Sequence, residues 1–204
     1  MRFSTLREKK ITQVYQQLGI SAISDLSIKN VSNVFNFKID YYDFRSRCIH
    51  DDDFAIIALN QNQTVEKIRY DFFHEMAHYF EHIGDQRKIN PSFIQLQERQ
   101  AHSFALVASM PRFIFEPYMD SVASIHELVK AFELPESFIE ERIRIIQQQN
   151  TTQYQYQRTK QLEEDRVNRS LQPGRVSNET ITLLHQLKNQ VGEERLSYDV
   201  TRLL

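Results

Sequence analysis

The sequence predicts an α+β domain: a helical N-terminal part, a small sheet and a core helix, followed by a mostly helical C-terminal extension. Three observations predict it. Between residues 34 and 60, apolar residues alternate with polar ones or form one short continuous run, as in strands. From Thr64 to Ile83 they recur at three- and four-residue steps, as on one face of a helix. After residue 147 aliphatic residues become scarce, and leucines become frequent again only in residues 178–204.

Each element follows from local chemistry. Residues 4–18 read as an amphipathic helix through Leu6, Ile11, Val14, Tyr15 and Leu18, with Gly19 placed to stop it. Residues 22–34 suggest a second short helix. Val34 to Tyr42 alternates as a half-buried strand, Arg47 to His50 suggests another, and Phe54 to Asn60 reads as a buried one. Asp51, Asp52 and Asp53 form a solvated turn, because a calcium loop needs more oxygen ligands at alternating positions. Val65, Ile68, Phe72, Phe73, Met76, Phe80 and Ile83 then mark a long helix, with Thr64 as N-cap and Gly84 as stop. Ser92 to Met110 is a second strong helix ended by Pro111, and Pro117 is expected to break the next stretch. Residues 121–132 and 136–146 form a helix pair joined around Leu134-Pro135. Gln147 to Gln157 looks like a polar linker or a frayed extension. Residues 158–171 are highly charged, Pro173-Gly174 marks a turn, and residues 178–204 hold a terminal helix or two. This gives a domain over residues 1–148 and an extension over 149–204.

Composition excludes several functions. The chain has 204 residues but only 4 glycines, and no two lie close enough to cradle a phosphate. A dinucleotide fingerprint and a P-loop are therefore excluded. The single cysteine, Cys48, excludes an intrachain disulfide framework and any Cys-rich zinc module, and a reduced cytoplasmic home is the default. The start, MRFSTLREKK, lacks the apolar stretch of a signal peptide, and the longest apolar run, Phe54 to Leu59, is too short to span a membrane. Net charge is −2, so no direct nucleic-acid partner is expected.

The chemistry sits in His74-Glu75-Met76-Ala77-His78, an HExxH pattern. Residues four apart on a helix share a face. Two imidazoles so spaced can bind one zinc, and Glu75 can sit beside the metal and take a proton from a water made acidic by it. Such a site needs a third protein ligand and an open position. The residues after His78 (Tyr79, Phe80, Glu81, His82) do not match the extended pattern with a glycine and a third histidine. The alternatives are Glu98, His102, His82 and Asp85. Glu98 fits best, because residues 98, 101, 102, 105 and 108 share one helical face, and Ala101, Ala105 and Ala108 allow close approach to the HExxH helix. His102, one turn beyond Glu98, is either a partner behind a ligand or an oxyanion donor. His50, His126 and His185 have no helix partner at ligand spacing.

HEMAHYFEH, followed after a short loop by ERQAHSFALVASMP, resembles the ImmA/IrrE metallopeptidase family. That family pairs an HExxH helix with an E-x-x-A-x-x-F-A helix ending in a Leu-Leu-Met-Pro-like tail. Here the second motif is Glu98, Ala101, Phe104, Ala105, then Met110-Pro111. The resemblance covers roughly residues 5–146, including IIALNQNQTVEKIRYDFFHEMAH upstream and IHELVKAFELPESFIEERI downstream. The family usually has Gly at Ala77 and Leu-Leu at Ala108-Ser109, and neither departure touches a ligand. The resemblance implies a zincin-like fold, with His74, His78 and Glu98 holding Zn2+ and Glu75 as general base. It implies a zinc endopeptidase encoded on a phage or mobile element that cleaves and inactivates a helix-turn-helix repressor. The alternative is a protein of the same fold that docks to a repressor without cutting it. A DNA-binding role for the helix pair at 121–146 is opposed by Glu127, Glu133, Glu136, Glu140 and Glu141.

Overall fold

The computed structural model describes residues 4–50, 54–81, 90–170, 172 and 175–204. The expected turns at Asp51-Asp52-Asp53 and Pro173-Gly174, the stop at Gly84, and the ligand alternatives His82 and Asp85 lie outside the described residues. The fold is α+β, mostly helical with one three-stranded sheet. The chain divides into two compact units, one ending at Gln149 and one running from Asn150 to Leu204.

Helix α1 (Leu6–Gln17) starts at Thr5, whose hydroxyl accepts from the Glu8 N–H while the Glu8 carboxylate accepts from the Thr5 N–H. Glu8 has a second task. It is 2 % exposed and pairs at 2.8 Å with Arg142, which is 1 % exposed. Gln149 donates to the same carboxylate, and Arg142 also donates to the Met110 carbonyl. Burial alone would raise the Glu8 carboxyl, but the Arg142 guanidinium and donors from Thr5 and Gln149 outweigh it and hold the group below its ordinary 4.5.

After α1, a 3-10 turn (Ile23–Leu26) leads to α2 (Ile28–Phe35). Val34 and Phe35 belong to this helix rather than to the strand that alternation suggested. Asn36, in the left-handed region at φ 57°, caps the helix and redirects the chain, so the strand begins only at Phe37. The sheet contains β1 (Phe37–Tyr42), β2 (Arg47–His50) and β3 (Ala55–Asn60), in the order β1-β3-β2. The central β3 is parallel to β1 and antiparallel to β2. Its near-continuous apolar run suits a strand covered on both faces: Ile57, Ala58 and Leu59 are all buried.

Helix α3 (Val65–Glu81) carries HEMAH and packs against β2 and β3. Thr64 caps its first turn by accepting from the Lys67 N–H. Its far face is core: Phe72, Phe73, Met76 and Ala77 are fully buried. Arg69, also buried, donates to the Leu26 carbonyl and to Glu133, tying α3 to both ends of the unit's sequence. Helix α4 (Pro91–Ser109) has Asn90 as N-cap and proline at its first position; it packs along α3, and its Ala101, Ala105 and Ala108 are all at 0 % exposure.

Helix α5 (Arg112–Ser121) contains Pro117 in its interior, so proline does not break it as expected. One backbone hydrogen bond is forgone, while burial of Ile114 and Phe115 and the Arg112–Glu116 ion pair keep the turn helical. Helix α6 (Ile125–Phe132) ends at Glu133, a non-glycine residue at φ 49°. Helix α7 (Glu136–Ser170) is the largest departure: the glutamine-rich tract is not a linker but part of one 35-residue helix. Gln, Arg, Lys and Glu are good helix formers, and no glycine or proline interrupts them.

The second unit holds the later part of α7, then α8 (Asn178–Val191), a 3-10 turn (Glu193–Arg195) and α9 (Tyr198–Thr201). No residue of α8 or α9 is buried. Among the described residues, no helix is long and apolar enough to cross a membrane.

Candidate metal centre

Two helices deliver the site. On α3, His74 and His78 project from one face; on α4, Glu98 faces them. The alanines beyond Glu98 leave room for the helices to approach, which carries the carboxylate to the imidazoles. His74 Nε2 lies 3.1 Å from Glu98 Oε2, His78 Nε2 lies 3.7 Å from Glu98 Oε1, and the two Nε2 atoms are 3.3 Å apart. Among the described residues this is the cluster of three that can hold a metal ion.

The donor set fits zinc. Four ligands about 2.05 Å from a tetrahedral ion stand about 3.3 Å from one another, close to the three spacings found here. Two imidazole nitrogens and a carboxylate directed at one point also repel unless a proton or a cation lies between them. His74 and His78 are half-buried and Glu98 is the more open member, so one side of the cluster faces solvent. His74 first, and then His78 and the Arg45 guanidinium, outweigh burial and hold the Glu98 carboxyl below the ordinary carboxylate range.

Glu75 projects elsewhere from α3 and is buried. Burial pushes its carboxyl up to about 7, and nearby Asp71 and Glu98 add to this. The His74 ring and the backbone N–H of Cys48 on β2 pull the other way. The Cys48 thiol is pushed up to about 12 by burial and then by Glu75.

Behind the ligands lies a second set of polar groups. The Tyr70 hydroxyl is 3.5 Å from His74 Nδ1 and 3.2 Å from His102 Nδ1. His102 Nε2 is 2.9 Å from Glu141 Oε2 on α7. Both nitrogens of His102 are therefore engaged, so of its two expected roles the structure favours the partner behind a ligand over the oxyanion donor. Burial and surrounding carboxylates push the Tyr70 phenol up to about 12, so it keeps its proton. Below the helix, Lys67 and Ser46 both donate to Asp71, and Ser46 accepts from the Asn60 N–H, pinning the strand connection onto α3.

Of the other histidines, His50 meets Tyr79 edge-on at the end of β2, while His126 and His185 are exposed on α6 and α8. The sequence assigns no place in the metal centre to Tyr70 or Glu141. Tyr70 carries a legible signal, since it precedes His74 by four residues on the same face. Glu141 carries none, because only the packing of α7 brings it near.

A family model for the IrrE N-terminal-like domain (Peptidase_M78) matches residues 31–144, a span containing all four motif residues and the whole sheet. The chain is similar to the phage-like element PBSX protein XkdA of Bacillus subtilis (strain 168), at 28% identity over 107 residues. That match covers 52% of this chain and 54% of XkdA, so the chain spans about half the length of that relative. It is also similar to the uncharacterized protein YqaB of the same organism, at 22% identity over 142 residues, covering 68% of this chain and 82% of YqaB. No solved structure matches the chain.

Proposed function

The chain belongs to the IrrE N-terminal-like (Peptidase_M78) family, and on that premise we propose that it is a zinc-dependent endopeptidase that cleaves and inactivates a helix-turn-helix repressor of a phage or mobile element. The observation that carries the reading is the convergence of His74, His78 and Glu98 beside a buried Glu75. The phage context is supported by similarity to a protein named for a phage-like element.

His74, His78 and Glu98 would hold the ion. Zinc, when bound, supplies a Lewis acid that polarises a carbonyl and makes water acidic near neutral pH. Glu75 supplies the proton chemistry. As a carboxylate it accepts a proton from the attacking water; as a carboxylic acid it returns that proton to the leaving amine. Burial strengthens its hold on a proton, which suits a group that must take one up and then give it back. The Cys48 N–H fixes the carboxylate while it waits. The products are a carboxylate and an amine, so one water is consumed per bond broken.

The test is incubation of the full chain with a candidate helix-turn-helix repressor, with and without a chelator. The wild type cuts, the chelated protein does not, and Glu75→Gln binds about one zinc per chain without cutting. A stable complex with no cleavage by the wild type points instead to a docking protein. Cleavage by Glu75→Gln at the wild-type rate removes the general-base role.

A further inference from the structure

His74 uses one ring nitrogen at the metal cluster and turns the other away from it. That second atom, Nδ1, faces the Tyr70 hydroxyl, and from there polar contacts run in a single line. Tyr70 on α3 meets His102 on α4, and His102 meets Glu141 on α7. Phe138, one turn before Glu141, stands edge-on to both rings, 4.9 Å from Tyr70 and 5.4 Å from His102, and so holds their planes.

The direction of every hydrogen bond follows from one end. Ionised Glu141 can only accept, so a neutral His102 carries its proton on Nε2 and presents a lone pair at Nδ1. Of the two groups there only the hydroxyl has a proton to give, so Tyr70 donates to His102. The tyrosine oxygen then accepts from His74, which places the His74 proton on Nδ1 and a lone pair on Nε2. Nε2 is the atom that faces Glu98 and His78.

A competitor opposes this arrangement. The Glu98 carboxylate, 3.1 Å from His74 Nε2, favours the other tautomer, in which His74 donates to Glu98 and the cluster closes on itself. We propose that Glu141, His102 and Tyr70 are positioning residues that hold His74 in its Nδ1–H tautomer and keep Nε2 available to a metal. The inference rests on the metallopeptidase reading given above and adds to it three residues that act through His74. Partners behind a metal-bound histidine are worth about 10–100-fold in metal affinity.

Tyr70→Phe tests the chain, since it keeps the ring against Phe138 and removes the hydroxyl alone. In the full chain, chelator competition is expected to show zinc bound about 10–100-fold more weakly, with the melting temperature of the metal-free protein unchanged. Glu141→Leu removes the acceptor that fixes the His102 proton on Nε2, so it weakens zinc binding too. The double variant then loses no more than the larger single loss, because both act through one path. Nitrogen-15 NMR of the metal-free protein reads the tautomer directly: Nδ1–H at His74 in the wild type, and Nε2–H in Tyr70→Phe. Unchanged zinc affinity in Tyr70→Phe, losses that simply add, or Nε2–H at His74 in the wild type overturns the proposal. A wild type that binds no zinc sinks the metallopeptidase reading instead, and the NMR tautomers then decide the relay alone.

Discussion

Glu8 shows how one side chain can join local and long-range structure. It caps α1 and neutralises Arg142, and both groups are almost wholly out of water. Removing one partner of such a pair leaves an unpaired buried charge, which costs about 3–5 kcal/mol. Glu8→Ala is therefore expected to lower unfolding stability in urea by about that amount, with Gln149 also losing its acceptor. The sign with pH follows from the direction of the shift. The folded carboxyl lies below its ordinary 4.5, so its contribution is full above that value and fades as pH falls through the folded value. Stability curves of wild type and Glu8→Gln should converge as pH drops below 4.5, and parallel curves would refute the assignment. At this scale the site was largely legible. His74, Glu75 and His78 are fixed by a five-residue pattern whose geometry is local to one helix. Glu98 needed a further inference about packing, made possible by the alanines behind it. Glu141 lies 39 residues from its partner His102 and belongs to a different helix, so no local pattern could announce it.

Helices and strands whose apolar period was strong appear where expected, and the departures have separate causes. The strand at Phe37 starts late because Asn36 adopts a left-handed conformation that alternation of residue types does not reveal. Pro117 sits inside α5 because tertiary burial outweighs one missing hydrogen bond. The tract from Gln147 to Gln157 lacks the aliphatic residues of a buried helix, yet composition that predicts exposure does not predict disorder. Its residues favour the helical backbone without needing a core. The most consequential pairing of elements is α3 on α4, because their separation sets the metal cluster. Ala101→Leu inserts three carbons beside Glu98, where exposure is 0 %. Overpacking of this kind costs about 1–3 kcal/mol, and here it should also weaken zinc binding, while Ser103→Leu on the exposed face changes neither. Thermal unfolding and chelator competition on the two variants check this; equal zinc affinity in both would show that the interface does not set the site.

Across the molecule, the metal cluster and its supporting groups all lie before residue 150, within the first compact unit. Zinc at 100 times its dissociation constant should add about 2.7 kcal/mol to the stability of whichever unit binds it. A fragment ending at Gln149 is expected to show the same zinc-dependent rise in melting temperature as the full chain. A rise seen only in the full chain would mean that residues 150–204 complete the site. Those residues offer a different resource: Leu183, Tyr154, Tyr156 and Tyr198 are all exposed, and no residue of α8 or α9 is buried.

The contact between Glu75 and β2 is made by the main chain of Cys48. An amide proton belongs to every residue except proline, so an alanine scan would pass over position 48 in silence. What holds the donor in place is the alignment of β2 on β3, where Cys48 sits opposite Ile57. The sheet thus serves as a ruler for Glu75, the proposed proton-transfer group: a one-residue slip of that ladder would carry the donor away while leaving the histidines on α3 where they are. Turnover and metal occupancy, joined in one motif along the chain, are in this respect separable by a strand that contributes no side chain to either.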